Sequence, residues 1–239
     1  MIVMKFGGSS VANADRIKHV ASIIKAYKEK RPAVVLSAMG DTTDHLLEAA
    51  DQAVLGNVDV KGVAKLHEET AAILGVEIET INDLLDELKQ LLTGISMLKE
   101  LSKRTRDYLV SFGERMSVRM MAAYLNKEGI PAKAYDAWDI GFISDSNFMA
   151  AELLDEVWTN IPKYLSSYAE GTDNCIPIVT GFIAKENVVG TLAVVYGLSN
   201  FIDTEELVLV GEGNVVAATM GLTKVAALAY LMFNLYTPP

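Results

Sequence analysis

One cysteine in 239 residues, Cys175, excludes an intrachain disulfide framework and suits a reducing compartment, so a cytoplasmic location is expected. Three histidines, His19, His45 and His67, are scattered along the chain without metal-ligand spacing. With no Cys/His cluster, no protein metal site is expected, and the three read as surface or helix-packing residues. Positive charge is scarce: 21 Lys and Arg face 31 Asp and Glu, a net charge of −10. That balance argues against a nucleic-acid or anionic-membrane partner, although it says nothing about one local pocket. Long apolar runs are missing too. The nearest, Val225 to Leu235, falls short of the ~20 residues of a membrane span, and Lys5 interrupts Met1–Met4 too early for a secretory signal. What is present, 51% hydrophobic and 22% charged residues, can bury a real core as one large domain or two small ones.

The chain is organised around Lys5-Phe6-Gly7-Gly8-Ser9-Ser10-Val11. An apolar first strand, Met1–Met4, precedes it, and a polar helix start at Asn13–Asp15 follows. Paired glycines at a strand-to-helix turn let a ligand approach the backbone closely. Their amides, the serine hydroxyls, the emerging helix N-terminus and the Lys5 charge together favour phosphate oxygens. An ordinary tight turn is the competing reading.

Apolar residues at 17, 20, 21, 23 and 24 predict a helix over Asp15–Lys28, and Ala33–Ala38 predicts a buried parallel strand. A βαβ unit results, with both strands ending in small-residue loops on the side where open α/β sheets bind ligands. Thr42, Thr43 or Asp44 caps the next helix, Asp44–Val54, or a threonine touches a ligand. Residues 59–101 are helical and acidic. The stripe Leu84, Leu85, Leu88, Leu91 and Leu92 reads as core, with the acidic residues as a solvated face. After Tyr108–Phe112, Gly113 reads as a turn that places Glu114 and Arg115 ahead of a methionine-rich helix to Leu125. The pair is either a surface salt bridge or a receptor for a zwitterion, glutamate for ammonium and arginine for carboxylate. Ala132–Tyr135 predicts a strand. A helix is expected over Ala150–Tyr168, kinked or broken at Pro162. Cys175–Ile183 predicts another strand ending in Thr180-Gly181-Phe182.

KFGGSSV at Lys5–Val11, VVLSAMGDTTDHLL at Val34–Leu47, RTRDYLVSFGERMS at Arg104–Ser117 and PIVTGFI at Pro177–Ile183 occur in one order. In that combination the sequence resembles aspartate kinase, of the amino acid kinase family, over roughly residues 1–192. The resemblance implies an α/β fold, a three-layer α/β/α sandwich with a mainly parallel sheet and a helical insertion at about 59–105. Residues 1–192 would form the amino-acid-binding lobe, and 193–239 a divergent or truncated remnant of the nucleotide lobe. It also implies ATP and Mg²⁺ as cofactors, L-aspartate as substrate and a homo-oligomer. Lys5, Gly7, Gly8 and Ser9 match phosphate-binding positions, with Lys5 catalytic as well. Ser37, Thr43, Glu114 and Phe182 match substrate-binding positions, Glu114 taking the amino group.

The sequence then departs from the family. Where a GRGGSD-type segment is expected after Leu192, the chain reads Ala193-Val194-Val195-Tyr196, and no arginine follows Arg119. Ala-Val-Val is also what a one-base shift of Gly-Arg-Gly codons can encode, an expectation that the gene sequence around codons 190–200 tests. The tail runs Leu207–Val210 and Val215–Met220 read as strand and helix pieces around Gly211-Glu212-Gly213. The expected activity is ATP-dependent phosphorylation of the aspartate side chain, weak or absent in this chain. The alternative is a non-catalytic amino-acid-binding or assembly module. Residues 104–117 argue against a carbamate or uridylate kinase.

Overall fold

The computed structural model describes residues 1–181 and 183–186, and the backbone alone of Leu192–Val194, Glu206–Gly211 and Asn214–Thr219. Its centre is a six-stranded sheet. The strands are β1 (Ile2–Phe6), β2 (Pro32–Leu36), β3 (Ala132–Tyr135), β5 (Ile176–Thr180), β8 (Glu206–Gly211) and β9 (Asn214–Thr219), in the order β3-β5-β2-β1-β8-β9. All neighbours run parallel except β8 and β9. β4 (Ile143–Ser144), β6 (Ile183–Glu186) and β7 (Leu192–Val194) form a second, three-stranded sheet.

The helices are α1 (Ala14–Ala26), α2 (Thr42–Val54), α3 (Lys61–Leu74), α4 (Glu79–Leu98), α5 (Lys103–Lys127) and α6 (Val157–Glu170). β2 is buried along its length and β1 at every residue but the half-buried Lys5, and alternation divides their side chains between two cores. Ile2, Met4, Phe6, Val34 and Leu36 pack with residues of α1 to α5. Val3, Ala33 and Val35 pack with residues of α6 and with Phe142 and Ile140. This is the expected α/β/α layering around a mainly parallel sheet. The leucine stripe is core: Leu84, Leu88 and Leu92 are buried, and Leu85 and Leu91 pack against them.

Several boundaries move for physical reasons. Lys5 and Phe6 belong to β1 rather than to the loop, because ladder pairing to Val35 and Leu36 of β2 carries the strand further. The 150–168 helix starts only at Val157, runs to Glu170 and continues through Pro162. The stretch before it bridges back to β4, Ser144 to Leu153. The two apolar runs of the tail are both strands, a hairpin ladder from Glu206–Thr219 to Gly211–Asn214 that adds to the edge at β1. Glu212 and Gly213, and the run from Val225 to Leu235, lie outside the described residues.

Candidate functional site

The carboxyl ends of β1, β2 and β5 lie side by side because the hydrogen bonding continues beyond the strands. The Ser37 amide donates to the Phe6 carbonyl at 3.1 Å, and the Gly181 amide donates to Leu36 at 2.9 Å. The loops after β1 and β2 also interlock. The Gly40 amide donates to the Gly8 carbonyl at 3.2 Å, and a Cβ on Gly8 would lie 2.9 Å from the Ala38 carbonyl oxygen. Gly8 is therefore required by the approach of two backbones. Gly7 has open space beside it, extended backbone (φ −74°, ψ 171°) and partial exposure. That is the room a ligand group needs to reach the turn. Ser9 is exposed and Ser10 buried, its amide donating to Gly7 at 2.9 Å.

One part of the anion reading changes. A short 3-10 turn, Gly8–Val11, stands between the glycines and α1. The Asn13 side chain caps α1, accepting from the Arg16 amide at 3.1 Å. The turn's own backbone, not the α1 terminus, is what stands next to the glycines.

The other half of the site comes from α5. Gly113 does not make a turn; the helix runs straight through it from Lys103 to Lys127. The reason lies across the interface. A Cβ at Gly113 would stand 2.7 Å from the Ala38 Cβ and 3.5 Å from Cγ2 of Thr42. Glycine lets α5 press against the β2–α2 segment, outweighing its helix penalty of about 1 kcal/mol. Glu114 is thereby buried, 8% exposed, beside Ala38. Burial pushes its carboxyl up to about 8, while hydrogen bonds from its own amide and that of Ala38 pull the other way.

Thr42 caps nothing ahead of it: its buried hydroxyl donates back to the Met39 carbonyl at 2.5 Å. α2 starts without a side-chain cap, after Asp41. Ser37 and Thr43 are half-buried on the same rim. Phe182 lies outside the described residues. Lys5 is half-buried, with its pKa lowered by desolvation. Alternation puts it on the sheet face of Val3, opposite the face that α5 covers. Lys5 and Glu114 thus enter from opposite faces and can meet only beyond the strand ends.

Glu114 and Arg115, adjacent in sequence, point to different partners. Arg115 is 11% exposed and pairs with Glu87 of α4 at 3.1 Å and with Asp136, after β3, at 3.6 Å. Its guanidinium lies 4.9 Å from the Phe112 ring centroid and 5.7 Å from that of Trp138. Arg119 grips Asp136 with two hydrogen bonds, 2.8 and 2.9 Å. Tyr108 donates to Glu87. The expected zwitterion receptor is therefore not built from Arg115, which is neither at the surface nor paired with Glu114. Glu87, Asp136 and Trp138 belong to no motif in the sequence; the one signal for them is Arg115 and Arg119 at i, i+4 on a single helix face. Thr180 was noted only as a strand end. Its buried hydroxyl accepts from the Ala137 amide at 2.9 Å and ties that corner to β5.

This rim presents an open glycine turn suited to an anion and, against the neighbouring loop, a buried acid suited to a cation. Among the described residues no group of three or more His, Cys, Asp or Glu gathers to hold a metal, and no helix is long and apolar enough to cross a membrane.

Comparison with known proteins bears on the family and the fold. The chain is 48% identical over 190 residues to Aspartokinase 2, chloroplastic, of Arabidopsis thaliana, covering 77% of this chain and 35% of that protein. It therefore spans about a third of the length of this curated relative. Among solved structures, E. coli aspartokinase III in complex with aspartate and ADP (R-state) superposes with TM-score 0.60 at 25% identity, over 84% of this chain and 44% of that one. The same enzyme in complex with lysine and aspartate (T-state) gives 0.63 at 24% identity, covering 84% and 45%, and supports the fold. A model of the amino acid kinase family matches residues 1–216, so the chain belongs to that family.

Proposed function

We propose that this chain carries the amino-acid-binding lobe of an ATP-dependent aspartate kinase. The reaction is transfer of the γ-phosphoryl group to the side-chain carboxylate of L-aspartate, giving 4-phospho-L-aspartate. That is the first step toward lysine, threonine and methionine. The observation that carries the reading is the convergence on Ala38: Gly8 of the first loop, Gly113 of α5 and the buried Glu114 all abut it. Three motifs spread over more than a hundred residues of sequence thereby share one rim.

In this reading Gly7, Gly8 and Ser9 hold the nucleotide phosphates, and Lys5 neutralises charge on the transferring group. Glu114 takes the substrate ammonium, while Ser37, Thr43 and Phe182 line the remainder of the pocket. A carboxylate nucleophile with a pKa near about 4 is already ionised, so no general base is needed. Phosphoryl transfer then depends on in-line positioning and charge neutralisation. Mg²⁺ would ride on the nucleotide phosphates and offset their charge, since the described residues offer no carboxylate cluster of their own. Residues 1–192 form the lobe, and 193–239 diverge from the family where its nucleotide half is expected. A cytoplasmic homo-oligomer completes the reading.

The second reading is a binding module without turnover. The run from Ala193 to Asn200 contains neither arginine nor aspartate to neutralise the transferring charge, which favours weak or absent catalysis. A coupled ADP-release assay with aspartate on the wild type, Lys5→Ala and Glu114→Ala separates the two. Turnover lost in both variants supports the kinase. Aspartate binding without turnover in the wild type identifies the module. Failure to bind aspartate sinks both.

A further inference from the structure

The site contains a buried acid that meets no cation among the described residues. Glu114 is 8% exposed, and among the described residues it makes no ion pair; two backbone amides are what meet its carboxyl. Every element around it has its charged groups placed elsewhere. On α5, Arg115 is held by Glu87 and Asp136, and Arg119 by Asp136. From α4, Glu87 itself is occupied by Arg115 and Tyr108. At the start of α2, Asp41 and Asp44 are exposed to solvent. From β1, Lys5 lies on the opposite sheet face. β5, Ile176–Thr180, has no titratable side chain.

A dry carboxylate needs either a counter-ion or several good donors. Here the described residues supply two amides. We propose that Glu114 is a neutral carboxylic acid in the unliganded protein, and that an entering primary ammonium displaces its proton to solvent, so that amino-acid binding at this site is a proton exchange. The balance is simple: a ligand ammonium and a carboxylic acid become an ammonium–carboxylate pair plus one proton taken up by the buffer. No bond to carbon changes. The inference rests on the aspartate-site reading and adds to it a selectivity. A ligand lacking the cation cannot stabilise the ionised acid, so dicarboxylates without an amino group are rejected at this position.

Calorimetric titration of the wild-type chain with L-aspartate near neutral pH, in two buffers of different ionisation enthalpy, tests it. The expected result is release of close to one proton per aspartate bound. Affinity should rise about tenfold per pH unit below the acid's own titration and level off above it. Glu114→Gln should abolish the release and flatten the pH dependence. Carbon-13 NMR of glutamate-labelled wild type against Glu114→Gln, without ligand, reads the acid directly and does not depend on binding. A Glu114 signal already ionised at about pH 6 overturns the proposal. So does aspartate binding with no proton released, which leaves the aspartate site standing. Absence of aspartate binding at any pH overturns the site and the exchange together.

Discussion

Glu114 of α5 and Asp136, which packs against that helix, are both buried carboxyl groups, and the protein treats them oppositely. Asp136, 5% exposed, receives two guanidinium groups, one of them bidentate. Glu114, 8% exposed, receives two backbone amides and no cation from the described residues. At Asp136 the cost of burial is offset within the polypeptide, and the result is a clamp between α5, α4 and the corner after β3. At Glu114 it is left open, at the rim where the glycine turn is also open. An internally balanced charge marks architecture; an unbalanced one marks the place where something else is meant to bind.

The two carboxyl groups differ most under a change of pH. Glu114 sits at about 8 in the folded chain against an ordinary 4.5, so the folded state holds its proton more tightly. The stability this gives is complete below about 4.5 and is lost as pH rises through about 8, a swing on the order of 5 kcal/mol. Denaturant unfolding of Glu114→Gln should match wild type near pH 4 and exceed it near pH 9. A constant difference across that range would mean that Glu114 is not the buried acid described. Asp136→Ala comes next. It removes the acid that Arg119 grips and leaves Arg115 with Glu87 alone, and a loss of about 3 kcal/mol is expected in urea unfolding at neutral pH. Unlike Glu114→Gln, it should cost stability across the whole neutral range. A near-neutral Asp136→Ala would remove the contrast between the two sites.

Much of this was legible in the sequence, and the reasons differ by region. β1, α1 and β2 follow from local periodicity, because each buries residues at its own repeat. The leucine stripe of α4 is equally local. Gly113 was not legible as helix: glycine opposes helix, and the reason for it, Ala38, lies in a different element. The Arg115 partners were hidden for the same reason, since Glu87 is 28 residues away in sequence. β9 read as helix because an apolar run carries no period of its own, and its ladder with β8 decides. At the site, the residue types on the rim were foreseeable from motif order. The burial of Glu114 was not, because it depends on how closely a helix approaches a loop.

Gly113→Ala sharpens the point about approach. Alanine favours helix by about 1 kcal/mol, yet its methyl would need to sit 2.7 Å from the Ala38 Cβ. Overpacking of that kind costs about 1–3 kcal/mol, so the variant should be less stable despite its better helix former. The displacement should also carry Glu114 away from the Ala38 amide and weaken aspartate binding. Ala38→Gly in the same chain removes the opposing methyl and should restore most of both. If Gly113→Ala is stabilising by itself, the contact is slack and the glycine has no packing role.

The smallest effect is expected at Glu87, and it tests whether the clamp and the site are separate. Its side chain is 36% exposed, so its pairing with Arg115 is partly screened by water. Glu87→Gln keeps the shape and one acceptor oxygen for Arg115, the Tyr108 hydroxyl can accept from the new amide, and Asp136 still balances the guanidinium. A loss of about 0.5–1 kcal/mol in thermal unfolding is therefore expected, with aspartate affinity unchanged. Because Arg115 follows Glu114 directly on α5, an affinity that falls while stability holds would couple the two regions. Arg115 would then act as part of the binding rim, and the division between balanced architecture and unbalanced site would have to be redrawn around the pair.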